Sequence, residues 1–490
     1  MTKLNPYLWQ LRDVETLRRN NWTGLLAIEP GGTKTLIATL AIKEARPRVT
    51  LIVAPKSTHH TAWIPTLRDN AGVEARVIGN DNKATKAAMF DFTLGMSGVY
   101  LVSPQLLTRS DVSDWSGDMM ILDESHQVST AKSAAQRKIS GYSHQDGQPL
   151  SNRFTHRLAL SGTPMRQAFQ NLWATVKFLW PMLDARGQIA DFNYVRWELE
   201  RMEYRTVYTN QRDRDGNPKT VKQFLGEKEP GRLISEMPCV IIHKRRETCC
   251  ADPSHQGGFL KVGEPQVIRR EVELTAKQEK AIREMEALMM TWLDDNPLVA
   301  DISLTMKQRV RQLTLGEAIA EPWIDVKDGE EVEKSRIVFD PECKSPAIDE
   351  AIHILSNLGD EPVVLFLESQ KFAEVVTYRL NKAGISAQEY SGVRKADLNR
   401  FGRDYRVLVG VVSALGTGTD GLQHVCNTEI WMEQPISLTM QSQAFARLER
   451  TGGRQVQRFL LMDSYGVQDG RFEDLAAKKI AVNESLRRTV

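Results

Sequence analysis

DMMILDESHQV, residues 118–128, is the stretch from which the fold is read. It begins as a short apolar run and closes on two adjacent carboxylates, Asp123 and Glu124, with His126 two residues on. A continuous apolar run of this length reads as a strand buried on both faces, the kind found in parallel sheets covered by helices. Four more runs share the form: LLAIE (25–29), VTLIVAP (49–55), GVYLVSP (98–104) and HRLALSG (156–162). Each stops at Gly, Pro or an acidic residue, and helical patterns separate them. In such sheets ligands bind at the carboxyl ends of the strands, where this acidic pair would stand.

A second series begins near residue 362: PVVLFLES (362–369), ISAQEYSG (385–392), YRVLVGVVS (405–413), TEIWME (428–433) and RFLLMDS (458–464). At 490 residues the chain exceeds one ordinary core. The expected architecture is therefore α/β, with two parallel-sheet lobes carrying helical insertions. The N-terminal lobe is expected over 1–240, with an insertion at about 166–236 whose segment YRTVYTNQRDRDGNPKTVKQF reads as a hairpin around Asp-Gly-Asn-Pro. The C-terminal lobe is expected over 241–490, with a helical insertion at about 275–335. That insertion would contain amphipathic helices near 274–292 and 302–320.

Composition narrows the class without naming a function. Apolar residues make up 41% and charged residues 26%, as in ordinary soluble domains. The formal net charge of +2 gives no whole-chain argument for nucleic-acid binding, although HKRRE (243–247) is a local basic cluster. Cysteines 239, 249, 250, 343 and 426 include no CxxC pair, and free thiols in a reducing compartment are expected. Cys249, Cys250 and His255 lie close together but lack a metal-site spacing. No run approaches the roughly 20 apolar residues of a membrane span, so a cytoplasmic protein with no membrane partner is expected.

Two adjacent carboxylates at the end of a buried strand suit a nucleotide-bound Mg2+ and an attacking water. The segment AIEPGGTKT (27–35) follows the first strand and supplies what such a pair needs. Lys34 would reach the β- and γ-phosphates, the Thr35 hydroxyl would ligate Mg2+, and backbone N–H groups around Gly31, Gly32 and Thr33 would cradle the phosphates. Thr33 is the departure, because the strict phosphate loop has glycine immediately before the lysine. A β-branched residue there disfavours positive φ, so Gly31 and Gly32 are expected to absorb the strain while hydrolysis slows.

With SGTP (161–164) following a further strand, the series resembles a superfamily-2 helicase-type ATPase of the DEAD/DEAH-box kind, and most closely the SNF2 branch. GLLAIEPGGTKT resembles motif I of that branch, VAPKSTHHTAW (53–63) its motif Ia, LDESH its acidic box, and LALSGTPMRQAFQNLWATVKFLWP its motif III. VVSALGTGTDGLQ and QAFARLERTGG resemble the later motifs. The resemblance implies RecA-like lobes with ATP and Mg2+ between them, Lys34, Thr35, Asp123 and Glu124 on one wall. It places Gln443, Arg447 and Arg450 on the other, Arg450 as the arginine finger; spacings of three and four residues would put these three on one helix face. It also assigns Gln10 to adenine, Gly421 to the nucleotide, and Lys56, Ser103 and Ser413 to DNA phosphates.

The implied activity is DNA-stimulated ATP hydrolysis driving translocation on double-stranded DNA without strong sequence preference, by a monomer of minimal bacterial or phage type. Two alternatives stand beside it. One is a strand-separating DNA or RNA helicase with the 206–221 hairpin as wedge. The other is an ATP-bound DNA-binding scaffold that does not hydrolyse.

Overall fold

The computed structural model describes residues 5–486 apart from 129, 131–132, 143–147, 166–171, 182–193, 213–217, 245–261, 295, 301–302, 328–329, 417–418, 420, 436 and 451. Cys249, Cys250, His255 and most of the HKRRE cluster lie outside the described residues. Two compact units emerge, one formed by 1–260 with 478–490 and the other by 261–477.

The first unit contains strands β1 (Gly24–Ile28), β2 (Val49–Val53), β3 (Ala75–Val77), β4 (Gly98–Val102), β5 (Gly117–Asp123), β6 (Phe154–Ser161), β7 (Met202–Arg212), β8 (Pro218–Glu227) and β9 (Val240–His243). Seven of them form one parallel sheet in the order β3-β4-β2-β5-β6-β1-β9. β7 and β8 form the expected antiparallel hairpin. The five strands read from the sequence are present. β3 and β9 were too short and too weakly patterned to stand out. Because β9 pairs with β1 over Leu25–Ile28, the first unit runs past residue 240, where the sequence reading ended it.

The second unit contains β10 (Gln266–Val272), β11 (Met290–Leu293), β12 (Asn296–Val299), β13 (Ile319–Lys327), β14 (Glu330–Val338), β15 (Val363–Leu367), β16 (Ala387–Tyr390), β17 (Val407–Val411), β18 (Thr428–Trp431) and β19 (Gln457–Asp463). Its parallel sheet has the order β10-β19-β18-β15-β17-β16. β15 shows why a continuous apolar run marks such a sheet. Val363, Leu365 and Leu367 enter one buried cluster, while Val364 and Phe366 enter another, as the two-residue period of a strand requires. Phe366 stacks on Trp431 with ring centroids 4.5 Å apart.

The insertion expected to be helical is mixed. Helices Ala276–Leu288 and Ser303–Leu313 form inside the expected stretches but are shorter, because β11 starts at Met290 and β13 at Ile319, and β11–β12 and β13–β14 are antiparallel hairpins. The strand IAEPWIDVK interleaves Glu321, Asp325 and Lys327 with apolar residues, so its period-2 signal was lost among polar ones.

One buried charge cluster stabilises the second unit. Arg458 pairs with Glu429 and, at 2.7 Å, with Glu449, and its guanidinium lies 3.4 Å from the Phe445 ring centroid. Burial pushes the Glu429 carboxyl above its ordinary range, and Arg458 draws it back. Arg458→Met would leave two buried carboxylates without their cation, a loss of about 3–5 kcal/mol. Denaturant unfolding should show that deficit at neutral pH and a smaller one in acid, where the carboxylates protonate.

Candidate nucleotide site

The parallel register brings the candidate residues of the first unit to one edge. β6 lies between β1 and β5, so Leu26, Leu160 and Asp123 share one row across the three strands. One residue further along, Ala27 pairs with Ser161, and the loop after β1 leaves the sheet beside the acidic pair. The helix Lys34–Ala45 starts at that edge, with its unpaired N–H groups there.

The loop geometry is specific. Gly31 takes φ +84°, and Thr33 takes φ +54°, ψ +37°. The strain is thus not confined to the glycines, as the sequence reading expected; Thr33 itself occupies the left-handed region. For a β-branched residue this costs on the order of 1–3 kcal/mol. Gly32 is needed for space instead, since a Cβ there would lie 2.2 Å from Ile28 Cγ2 and 2.9 Å from the Glu29 carbonyl oxygen. Lys34 is buried, and its ammonium donates to the Ile28 carbonyl at 2.9 Å. Thr35 follows in the first turn of the helix.

Asp123 is buried at the end of β5. Its Oδ2 accepts from Trp63 Nε1 at 2.8 Å and its Oδ1 from the Glu124 N–H at 3.0 Å. Burial and the neighbouring Glu124 push its carboxyl up to about 6, against the pull of the Trp63 hydrogen bond and the Lys34 charge. Glu124 has φ +48°, a second non-glycine residue in the left-handed region at this edge. His126 Nδ1 lies 3.3 Å from Glu124 Oε2 and 3.0 Å from Ser161 Oγ. Ser161 Oγ also accepts the Thr163 N–H at 3.1 Å, so the acidic box and the SGT segment form one network.

Sequence reasoning saw Trp63 only as the last residue of the segment likened to motif Ia. A buried indole N–H seeks an acceptor, but its partner lies 60 residues away and only the fold reveals it. His243 was likewise seen only as part of a basic run. It binds the Asp13 carboxylate through Nε2 at 2.9 Å, and its ring meets Trp9 edge-on at 4.6 Å.

Gln10 is buried close to the loop. Its amide oxygen accepts the Tyr7 N–H at 2.8 Å, and its amide nitrogen donates to Thr33 Oγ1. Lys56 is exposed and pairs with Asp81 at 3.0 Å. Ser103 caps the helix Pro104–Arg109, its hydroxyl accepting the Leu106 N–H at 3.2 Å.

In the second unit, Gln443 and Arg447 lie on the helix Leu438–Leu448, but Arg450 falls beyond its end. The shared-face argument therefore holds for Gln443 and Arg447 only, because Glu449 closes the helix while bound to Arg458. Arg447 donates to the Gly416 carbonyl from Nε at 3.0 Å and Nη2 at 2.6 Å, and to the Thr419 carbonyl. Arg450 Nε donates to the Ala446 carbonyl at 2.9 Å. Ser413 is exposed in the turn Val412–Leu415, and Gly421 takes φ +93° ahead of Leu422–His424.

The chain thus folds as two parallel-sheet α/β units, the first with a glycine-bearing loop and an acidic pair at one sheet edge. Residues 10–195 match the SNF2-related domain family, which agrees with the SNF2-like resemblance of the motifs in that part of the chain. It is 26% identical over 201 residues to the ISWI chromatin-remodeling complex ATPase ISW1 of Saccharomyces cerevisiae, covering 39% of this chain and 17% of that protein. It is 29% identical over 192 residues to the human SWI/SNF-related matrix-associated actin-dependent regulator of chromatin subfamily A member 1, covering 36% and 17%. The chain thus spans about a sixth of the length of these curated relatives. A solved Sulfolobus solfataricus SWI2/SNF2 ATPase core in complex with dsDNA is 14% identical with a TM-score of 0.39, covering 99% of this chain and 94% of that one. Among the described residues no helix is long and apolar enough to cross a membrane.

Asp123 supplies the pH test of this site. An acid whose folded value lies above its unfolded one stabilises the fold in acid, and that contribution is lost as pH rises through about 6. Asp123→Asn, which keeps an acceptor for Trp63, should unfold at a higher temperature than wild type at pH 7.5. The two should converge near pH 4, where both side chains are neutral.

Proposed function

We propose that the chain is an ATP-driven motor that hydrolyses ATP and translocates along double-stranded DNA through phosphate contacts. The observation that carries the reading is Lys34 beside the Asp123–Glu124 pair at the carboxyl edge of one parallel sheet, its charge acting on Asp123. The match to the SNF2-related domain and relatives named as chromatin-remodelling ATPases support the same chemistry.

In this reading the N-terminal end of Lys34–Ala45 receives the β- and γ-phosphates, and Lys34 exchanges its Ile28 carbonyl for them. Thr35 and Asp123 offer the hard oxygens that suit Mg2+, and no described group of three or more acidic, His or Cys residues could hold a metal ion. Two hard-oxygen donors from the chain suit an ion whose remaining positions nucleotide phosphates fill, and such an ion when bound would neutralise charge developing on them. Glu124 takes the proton of the attacking water, oriented through His126 and Ser161. Arg447, Arg450, Gln443 and Gly421 are the nucleotide-contacting residues of the second unit in this reading. Lys56, Ser103 and Ser413 contact DNA phosphates, which carry affinity without sequence information.

One observation favours a second reading. Thr33 in the left-handed region strains the phosphate loop, and a loop so strained could bind ATP without turning it over. Steady-state hydrolysis without nucleic acid and with single-stranded DNA, duplex DNA or RNA separates the possibilities. Stimulation by duplex DNA that falls at least about a hundredfold in Lys34→Ala and Glu124→Gln is expected. Stimulation only by single strands or RNA would make the protein an unwinding helicase. ATP binding without turnover would make it a clamp.

A further inference from the structure

Gln10 is the residue whose surroundings differ most from the role its position implies. Both ends of its amide are already engaged: Oε1 accepts the Tyr7 N–H at 2.8 Å, and Nε2 donates to Thr33 Oγ1. The side chain is 1% exposed, so a nucleobase would reach the one hydrogen-bonding position left at each end of the amide only after displacing what covers it. Its partner is the one loop residue that stands where a phosphate loop has glycine, and that residue holds φ +54°.

Thr33 gains from this contact what glycine would not need. A β-branched side chain leaves the left-handed region unless something fixes it there. The Thr33 hydroxyl is fixed by Gln10, and Gln10 is fixed by the backbone of the turn that opens the helix Leu8–Arg19. That helix is anchored in turn, through Asp13, to His243 at the end of β9. The loop conformation at Lys34 is therefore set from outside the loop.

We propose that Gln10 is a positioning residue that clamps Thr33 in its left-handed conformation, and that it does not read adenine. The proposal rests on the reading of AIEPGGTKT as a nucleoside-triphosphate loop. Because Gln10 acts on the phosphate cradle, its loss falls on every nucleotide alike and disappears when residue 33 no longer needs holding.

The test compares wild type, Gln10→Ala, Thr33→Gly and the double variant, each with ATP and GTP. Binding of fluorescent ATP and GTP analogues is measured beside turnover. Gln10→Ala should weaken kcat/KM, or binding where turnover is absent, by about tenfold for both bases, the scale of one hydrogen bond. In the Thr33→Gly background the same substitution should change either by less than about twofold. An ATP-selective loss in Gln10→Ala with GTP unaffected would restore the adenine-reading role and overturn the proposal. An undiminished loss in the Thr33→Gly background would overturn the clamp. If wild type binds neither nucleotide, the reading of the loop itself fails, a result distinct from both.

Discussion

The insertion of β6 between β1 and β5 is the constraint on which the candidate site depends. Parallel strands fix the height at which each chain segment leaves the sheet. Leu26, Leu160 and Asp123 share a row, so the loop after β1, the SGT segment after β6 and the acidic pair after β5 emerge together. No contact within any one motif could achieve this, since the three lie far apart in sequence. The hydrophobic cores on the sheet faces hold that register, because a one-residue slip would turn Leu158 and Leu160 away from their cluster. Packing thus places the chemistry, and the chemistry adds little to the packing.

At that edge the fold carries costs that packing alone would not select. Asp123 is buried beside a second carboxylate, with only an indole N–H, a backbone N–H and a nearby ammonium to offset its charge. Thr33 and Glu124 both hold positive φ. Compare Arg458, equally buried but bracketed by Glu429 and Glu449 and set against an aromatic ring. There the cation touches both carboxylates directly, and the cluster is structural. At the first, buried acid coincides with two non-glycine residues at positive φ, and such departures from local consistency gather at functional sites.

Much of this was legible in the sequence because buried parallel strands write themselves as unbroken apolar runs. All ten strands read this way lie in the two main sheets. Short edge strands such as Ala75–Val77 and Val240–His243 carry too few residues for a pattern; β11 and β12 have only four residues each, and β13 and β14 interleave charged residues with apolar ones. Lys34, Asp123 and Glu124 were legible because their types and order are chemically constrained. Trp63, Ser161 and His243 were not legible as partners, because a hydrogen bond across strands leaves no local signature. Arg450 shows the limit of periodicity. Its spacing fits a helix face, but the helix closes before it, on a cap fixed by a distant arginine.

Gln10 and Thr33 carry the argument one step further. Read separately, one is a base-reading glutamine slightly out of place and the other a flaw in a phosphate loop. Read together they are one feature, since the residue that strains the loop also offers the hydroxyl by which it is held. A glycine at 33 would leave the loop free to explore many conformations, and its ordering would fall to the nucleotide. A tethered threonine moves that ordering into the folded protein, through a helix anchored to β9, the edge strand beside β1. Departure from a motif is then not evidence of decay by itself. It shows where the fold has taken over a conformational task that the motif's own backbone usually performs.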